Sequence, residues 1–396
     1  MASAPDLPRL RRLLLGLIAP ASARALDHLH ALNDVELGAL DAMAGEHRLR
    51  PLLHHLHGAS ALPATIAESW REAHRHARLS AMAHAAELRA VCGLLGGAGM
   101  APVALKGAWL AWHVYPDPAL RPLRDLDLLL PDGQVIAAFE LLLANGYRQR
   151  SAADLSPADA LRLEKHLPPL MSPRDVAIEL HHRLWEVDGR MDHVAPAAMT
   201  GTPLDRAITI DGLRYLAPQD SLAHLIIHAV YDHRLDCGPL LLWDIACLLR
   251  AAPIDWNTFW QAAAEGGWAK GARLVLDLVQ RHDASVPIVF PDGPFSTPAA
   301  ILDAAPDLLL QPLETRQSAG VVATARAAGP LRLLRRLAAR RGAEGEVQTV
   351  ARDLSAEGGY SGWAANRLKR TLGQLADATT RRQAGDLARL SRWLDD

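Results

Sequence analysis

Two aspartates interrupt an apolar run in the middle of the chain, and this pattern restricts the local fold more than any other feature. Residues 125–130 read Asp-Leu-Asp-Leu-Leu-Leu. In a β-strand alternate side chains share a face, so Asp125 and Asp127 point to one side while Leu126 and Leu128 point to the other. Two adjacent carboxylates are unfavourable unless a cation neutralises them. The pattern therefore predicts a strand that presents two oxygen ligands to a divalent ion, and magnesium prefers such ligands.

A third carboxylate lies in a second strand pattern. Residues 175–181 read Asp-Val-Ala-Ile-Glu-Leu-His, and Glu179 stands where an apolar residue would pack better. With Asp125 and Asp127 it could hold two magnesium ions about 4 Å apart, as phosphoryl transfer requires. A glutamate on an edge strand can also simply face water. His181 shares the strand face of Glu179 and is either a proton acceptor or substrate-orienting group, or an ordinary half-buried histidine.

Cations near the first strand could bind the phosphates of a nucleotide. Lys106, Arg121 and Arg124 precede or border the aspartate pair. Gly107, at the start of a predicted helix, would let backbone N–H groups approach phosphate oxygens. These residues predict a nucleoside triphosphate as the ligand that accompanies Mg²⁺.

The hydrophobic pattern divides the chain into three segments. Residues 1–99 are rich in alanine and leucine at helical spacing, with Asn33 and Glu36 as helix-start residues. Residues 100–215 alternate strand-like and helix-like runs, and residues 216–396 return to helical spacing. We therefore expect a helical N-terminal unit, an alternating core and a helical C-terminal unit. Six prolines between residues 287 and 312 predict loops there. The individual expectations are strands over 102–105, 125–130 and 175–181, and helices over 108–115 and 135–145.

Other clusters allow both a functional and a structural explanation. His224 and His228 stand four apart on a predicted helix, but zinc needs three or four protein ligands, so packing against the core is favoured. Trp109 and Trp112 could stack on a base, although their apolar neighbours favour the core. The cluster of His54, His55 and His57 with Arg48 and Arg50 could be a metal or phosphate tract, but a helix end, where positive side chains complement the terminal carbonyls, is favoured. Arginines that alternate with leucines near the C-terminus indicate a solvated helical face rather than a phosphate-binding surface: Arg335, Arg336, Arg340, Arg341, Arg381 and Arg382.

Charge and cysteine content exclude several classes of protein. The 42 lysines and arginines nearly balance the 44 acidic residues, so nonspecific nucleic-acid binding is not expected. Cys92, Cys237 and Cys247 are too few and too irregularly spaced for a disulfide framework, which fits a reducing cytoplasm. The apolar run at 13–18 is too short for a signal peptide, and no run approaches the roughly 20 residues that span a bilayer. We expect a cytoplasmic protein that does not enter the membrane.

Several of these motifs, taken together in their order and spacing, resemble a known family. The similarity covers roughly residues 30–250 and includes Lys106-Gly107, Asp125-Leu126-Asp127, and further motifs on either side. The chain resembles an uncharacterised bacterial nucleotidyltransferase family of the polymerase-beta-like nucleotidyltransferase superfamily. The remaining motifs that carry the resemblance are Tyr115-Pro116-Asp117-Pro118, Arg121-Pro122, Gly146-Tyr147, Ile178-Glu179-Leu180-His181, Leu216-Ala217-Pro218-Gln219-Asp220, His224 to His228 and Trp243-Asp244-Ile245-Ala246.

The resemblance implies a fold, a reaction and a set of site residues. It implies an α+β protein whose nucleotidyltransferase-fold core over 100–215 contains a small mixed sheet, flanked by the helical units 1–99 and 216–396. It also implies metal-dependent transfer of an NMP from an NTP, with Asp125, Asp127 and Glu179 as the acidic residues. The wider superfamily has Gly-Ser where this chain has Lys106-Gly107, so the serine contact to phosphate is missing here.

Three functions are compatible with these observations. The first is a nucleotidyltransferase that acts on an unidentified protein, peptide or small molecule. The second is a catalytically silent binding or scaffold protein of the same fold, and both could belong to peptide natural-product tailoring, because members of the family resemble proteins encoded beside such genes. The third is a kinase-like phosphotransferase, which would release NDP instead of pyrophosphate.

Overall fold

The computed structural model describes residues 5–20, 23–150, 156–185, 201–291, 296–312 and 378–395. Within these ranges the protein combines many helices with one seven-stranded sheet that contains both parallel and antiparallel pairs. This mixed architecture agrees with the predicted α+β class. None of the helices in the described ranges has the combination of length and apolar composition needed to cross a bilayer.

Five α-helices form the described part of residues 1–99, as the helical spacing predicts. The third begins with a capping box, in which the Asn33 side chain accepts from the Glu36 backbone and the Glu36 side chain accepts from the Asn33 backbone. The histidines at 54–57 lie in the last turn of the fourth helix, as predicted. The bounds are Leu7–Leu17 (α1), Ala23–His30 (α2), Asp34–Glu46 (α3), Arg50–His57 (α4) and Ala64–Gly97 (α5).

The sheet places the two acidic strands side by side at its centre. Its strands are Val103–Ala104 (β1), Asp125–Leu129 (β2), Arg148–Gln149 (β3), Leu170–Met171 (β4), Ala177–His181 (β5), Ile208–Ile210 (β6) and Leu213–Tyr215 (β7). Their order is β3-β4-β5-β2-β1-β7-β6. β2 is parallel to β5 and antiparallel to β1, while β1 is parallel to β7. The β6–β7 hairpin was not predicted.

Helices cover the sheet and continue after it. After β1 come a short helix, Gly107–Trp109 (α6), and a π-helical turn, Leu110–Val114, where a single helix over 108–115 is predicted. A second π-helical turn, His228–Asp232, follows the ninth helix. Later helices include one over Ala299–Leu309 with Pro306 inside it, so the proline-rich region is not entirely loop. The remaining bounds are Asp132–Ala144 (α7), Pro157–Leu163 (α8), Pro218–Ile227 (α9), Leu240–Ala251 (α10), Trp256–Glu265 (α11), Ala269–His282 (α12), Ala299–Leu309 (α13) and Ala378–Asp395 (α14).

One cluster of buried apolar side chains runs through all parts of the described chain. It includes Leu10 of α1, Leu126 of β2, Leu248 of α10 and Leu390 of α14. Trp109 belongs to it, which agrees with the core-packing interpretation of that tryptophan. The division into units 1–99, 100–215 and 216–396 stays a prediction, and Arg335, Arg336, Arg340 and Arg341 lie outside the described residues.

Candidate active site

The register of β2 and β5 brings the predicted carboxylates together. Asp127 lies directly opposite Glu179, and Leu129 lies opposite His181. Because side chains alternate along each strand, Asp125 and Asp127 share a face with Glu179 and His181. On the other face Leu126 and the neighbouring leucines are buried in the core. The apolar side chains thus pack both strands against the core, and the polar side chains on the opposite face border a cleft.

Asp127 is the central residue of this face. Its two carboxylate oxygens each meet a nitrogen: Lys106 Nζ lies 3.0 Å from Oδ2 and His181 Nε2 lies 3.1 Å from Oδ1. Burial alone would raise the pKa of Asp127, but the Lys106 ammonium and the His181 ring hold it well below its ordinary value. Asp127 is therefore an anion at neutral pH, compensated by two neighbouring donors.

Glu179 and His181 complete a group of three potential metal ligands. One ligand atom from each of Asp127, Glu179 and His181 lies within 4.8 Å of the other two, and within the described ranges this is the group of three such side chains that could hold a metal ion. His166 Nε2 also lies 3.7 Å from Glu179 Oε2. Although burial opposes it, hydrogen bonds to Asp127 and Glu179 raise the pKa of His181. The sequence left His181 open between a proton-accepting or orienting role and an ordinary half-buried histidine, and did not place it among the ligands.

Asp125 borders the same cleft but is not one of these three side chains. Burial raises its pKa to about 6, and the negative charges of Asp127 and Glu179 act in the same direction. Its proximity to both carboxylates agrees with the predicted strand face. Its assignment as a metal ligand stays a prediction.

Lys106 is held in an unusual backbone conformation between β1 and α6. Its φ and ψ are 43° and −114°, a region that L-residues with side chains rarely adopt. Such conformations cost on the order of 1–3 kcal/mol and are concentrated at functional sites. The preceding residue is fixed by the sheet, since Leu105 N donates to Asp127 O at 2.9 Å. Lys106 thus combines a strained backbone with a side-chain ammonium that contacts Asp127.

Gly107 follows Lys106 at the start of α6 and has no room for a side chain. A Cβ atom at this position would overlap Leu123 Cδ2 and approach Arg121 Nη1 to 3.1 Å. The glycine therefore allows a close approach between α6 and the segment that carries Arg121. The predicted contact between its backbone N–H and phosphate stays a prediction.

Arg121 is paired with a buried carboxylate from α10. Its Nε and Nη2 donate to Asp244 Oδ1 and Oδ2 at 2.9 and 3.0 Å, and Tyr115 Oη donates to Oδ1 at 2.8 Å. Burial opposes the charged form of Arg121, but Asp244 raises its pKa above the ordinary arginine value. The guanidinium borders the cleft with its charge already compensated, so its predicted phosphate contact would have to share the group with Asp244.

The cleft encloses about 400 Å³ between these residues and the π-helical turn after α9. Its far wall contains a second buried ion pair, in which Lys165 Nζ and His228 Nδ1 lie 2.8 and 3.2 Å from Asp232 Oδ2. Burial lowers the pKa of His228 well below its ordinary value, so the ring is neutral at pH 7. Arg124 is exposed at the rim, and Arg48 comes from the loop between α3 and α4. The sequence favoured a helix-end role for Arg48, whereas the structure places its side chain at the cleft.

His224 and His228 do not form part of a three-ligand group in the described structure. The His224 ring is buried and packs edge-on against Trp185 and His228, with centroid separations of 5.5 and 6.1 Å. This packing agrees with the favoured core interpretation for His224, whereas His228 is only partly buried and borders the cleft.

A comparison with protein-family models assigns the chain to a family. A model described as uncharacterised nucleotidyltransferase matches residues 33–282, which is more than half of the chain. The chain belongs to this nucleotidyltransferase family. No curated protein and no solved structure matches the chain significantly. The matched region contains every residue of the cleft described above, including Arg48 and Asp244.

Proposed function

We propose that this member of the nucleotidyltransferase family transfers an NMP from an NTP to an unidentified protein, peptide or small molecule, with Mg²⁺ as cofactor. The observation that carries the proposal is the register that sets Asp127 opposite Glu179, beside Asp125 and His181. We further propose that the core is of the polymerase-beta-like type and acts in the cytoplasm.

The donor set fits a divalent ion. Two carboxylates and an imidazole converge in a mostly buried position, where neighbouring negative charges oppose each other unless a cation lies between them. Asp127 and Glu179 would hold the ion with hard oxygen atoms, which magnesium prefers, and Asp125 is the proposed additional ligand for a second ion. Bound magnesium would neutralise phosphate charge and favour ionisation of an attacking hydroxyl.

The residues around the carboxylates have separate tasks in the proposed transfer. The acceptor oxygen forms a bond to the α-phosphorus, the bond from that phosphorus to the oxygen bridging to the β-phosphate breaks, and pyrophosphate leaves with the electron pair. Lys106 and Arg124 stabilise phosphate charge, and Gly107 lets the backbone approach. The proton of the acceptor would pass to solvent water, because the low pKa of His228 makes the ring that borders the cleft a weak base.

A specific observation favours the alternative of a catalytically silent scaffold protein. Both oxygens of Asp127 are already engaged, by Lys106 and by His181. A site that compensates its carboxylates internally can persist without a metal ion. The two functions differ in whether magnesium increases the affinity for a nucleotide.

Calorimetric titration of the protein with each of the four NTPs, in MgCl₂ and in EDTA, tests the proposal. We expect magnesium-dependent binding that the Asp127→Asn and Glu179→Gln variants each weaken by at least about tenfold, through loss of a charged ligand. Asp303→Asn, at an exposed surface ion pair, is the control. Magnesium-independent binding, or unchanged binding in both site variants, would favour the scaffold function. Release of NDP instead of pyrophosphate in the presence of cell extract would indicate a phosphotransferase.

A further inference from the structure

The charges around the cleft are unevenly compensated. Five cationic side chains border it. Lys106, Arg121 and Lys165 are each paired with a carboxylate, Asp127, Asp244 and Asp232 respectively. Within the part of the chain that the structure describes, the other two have no carboxylate partner, and both are arginines: Arg48 and Arg124.

Arg48 is held in the cleft although its charge is unfavourable there. Its backbone has φ 58°, a left-handed conformation that is costly for a residue with a side chain. Its Nη1 donates to Pro122 O at 2.9 Å, which leaves the guanidinium beside the Arg121–Arg124 segment. Its Nε is buried and has no hydrogen-bond partner among the described residues. A buried donor without a partner is costly, so holding Arg48 in this position calls for a compensating interaction at the rest of its guanidinium group.

The neighbouring charges explain which kind of ligand this would be. Burial lowers the pKa of Arg48 to about 10, and the positive charges of Arg121 and Arg124 act in the same direction. The carboxylates of Asp244 and Asp125 act in the opposite direction on Arg48, so three guanidinium groups face two carboxylates and the group keeps an excess of positive charge. A planar guanidinium recognises phosphate oxygens with two parallel hydrogen bonds, and several phosphates in a chain match several adjacent guanidinium groups.

We propose that Arg48 and Arg124 form an oligophosphate subsite that holds the β- and γ-phosphates of the NTP, so that the N-terminal helices contribute directly to the nucleotide site. Arg121 is a positioning residue, because its bidentate pair with Asp244 fixes the segment from which Arg124 extends. This inference rests on the proposed nucleotidyl transfer. It gives the loop between α3 and α4 a role in binding the group that leaves as pyrophosphate.

The subsite is tested with inorganic tripolyphosphate in EDTA. Binding of this anion to Arg48 and Arg124 needs neither magnesium nor the carboxylates. Calorimetry should show binding that Arg48→Gln and Arg124→Gln each weaken by about tenfold to a hundredfold, because each loses a charged hydrogen-bond donor. Arg48→Lys keeps the charge and should lose less, even if Arg48→Gln folds poorly. Arg75→Gln, on an exposed part of α5, should bind as the wild type does. Thermal unfolding midpoints identify any variant that is merely unstable.

Nucleotide titrations in MgCl₂ then separate the sources of the phosphates. We expect tripolyphosphate to compete with the preferred NTP, and Arg48→Gln to weaken binding of that NTP while leaving the affinity for its NMP unchanged. Simultaneous binding of NTP and tripolyphosphate would overturn the assignment, since the anion would then belong to another substrate. NTP binding that is insensitive to Arg48→Gln in a folded variant would overturn this inference alone. Tripolyphosphate binding without binding of any NTP would overturn the proposed function as well.

Discussion

Lys106 has a strained backbone, and its side chain supplies a positive charge that compensates the buried carboxylate of Asp127. Its ammonium lies 3.0 Å from Asp127 Oδ2, and both side chains are mostly buried. Breaking a buried ion pair by removing one partner costs about 3–5 kcal/mol, because the remaining charge is uncompensated. The remaining hydrogen bond from His181 places the expected cost at the lower end of this range.

We predict that Lys106→Met lowers the free energy of unfolding by about 3 kcal/mol in EDTA and that saturating MgCl₂ restores part of this loss. Magnesium would then provide the positive charge that lysine no longer supplies. Urea denaturation of the variant and wild type measures both effects, with NaCl of equal ionic strength as the control. Equal stabilisation of both proteins by MgCl₂ would show that magnesium does not take over the compensation of Asp127.

The Arg121–Asp244–Tyr115 group allows a graded test of the same principle. Asp244→Asn leaves a buried guanidinium without its counter-charge, and we predict a loss of about 3–5 kcal/mol. Tyr115→Phe removes one hydrogen bond and leaves the ion pair intact, which should cost about 1 kcal/mol. Urea denaturation of both variants measures the ratio. Similar losses in the two would mean that the buried charge pair contributes no more to stability than the single hydrogen bond from the Tyr115 hydroxyl.

At the scale of elements, the contact between α6 and the segment 121–124 depends on a glycine. A methyl group at Gly107 would overlap Leu123 and crowd Arg121, whereas a methyl group at Gly93, exposed in α5, meets nothing within 4 Å. We predict that Gly107→Ala destabilises the protein by about 1–3 kcal/mol through overpacking. Gly93→Ala should stabilise it by up to about 1 kcal/mol, because alanine favours a helix.

Thermal unfolding of the two alanine variants provides the measurement, and adding Leu123→Ala to Gly107→Ala provides the control. Removing the side chain that the new methyl group would strike should restore part of the lost stability. If the double variant is less stable than the sum of the two single changes predicts, then Leu123 is needed for more than its contact with Gly107.

Elements with a strong local pattern could be predicted from the sequence, and contacts between distant segments could not. The strands around Asp127 and Glu179 are found because polar residues alternate with leucines, a pattern that belongs to a single strand. The hairpin at 208–215 was missed because its strands are three residues long and half-exposed, which leaves little hydrophobic alternation. The π-helical turns were missed because their composition is that of an ordinary helix.

In the site, too, positions set by a local pattern could be predicted, and contacts between distant segments could not. Asp125 and Asp127 lie on one face because strand periodicity requires it, whereas Glu179 joins them through the pairing of β2 with β5, which no local pattern reports. The pairing of Arg121 with Asp244 spans 123 residues, and Arg48 reaches Pro122 across 74 residues. No local signal reports such contacts, so the sequence could suggest that Arg121 is near the site but not that its charge is already compensated.

For the whole molecule, the many buried histidines determine how stability depends on pH. Burial lowers the pKa of His224, His228 and His282, so each resists protonation in the folded state. In the unfolded state these rings bind protons below about pH 6.5. The unfolded state therefore binds more protons as the pH falls below this value, and the folded protein loses stability until the lowered folded-state pKa is reached. Asp125 and His181, whose pKa values are raised, act in the opposite direction but are fewer.

We predict that the free energy of unfolding falls between pH 7.5 and pH 5.5, and that His282→Gln reduces the slope. His282 Nε2 lies 3.2 Å from Ile18 O. His282 is distant in sequence from Asp125, Asp127 and Glu179. A glutamine at this position can still donate to the Ile18 carbonyl but does not titrate. One histidine contributes at most about 1.4 kcal/mol per pH unit. Urea denaturation across this range measures both slopes. The raised pKa values of Asp125 and His181 stabilise the folded protein at low pH, whereas the lowered pKa values of the buried histidines destabilise it there. A rise in stability toward pH 5.5 would therefore mean that Asp125 and His181 outweigh the buried histidines.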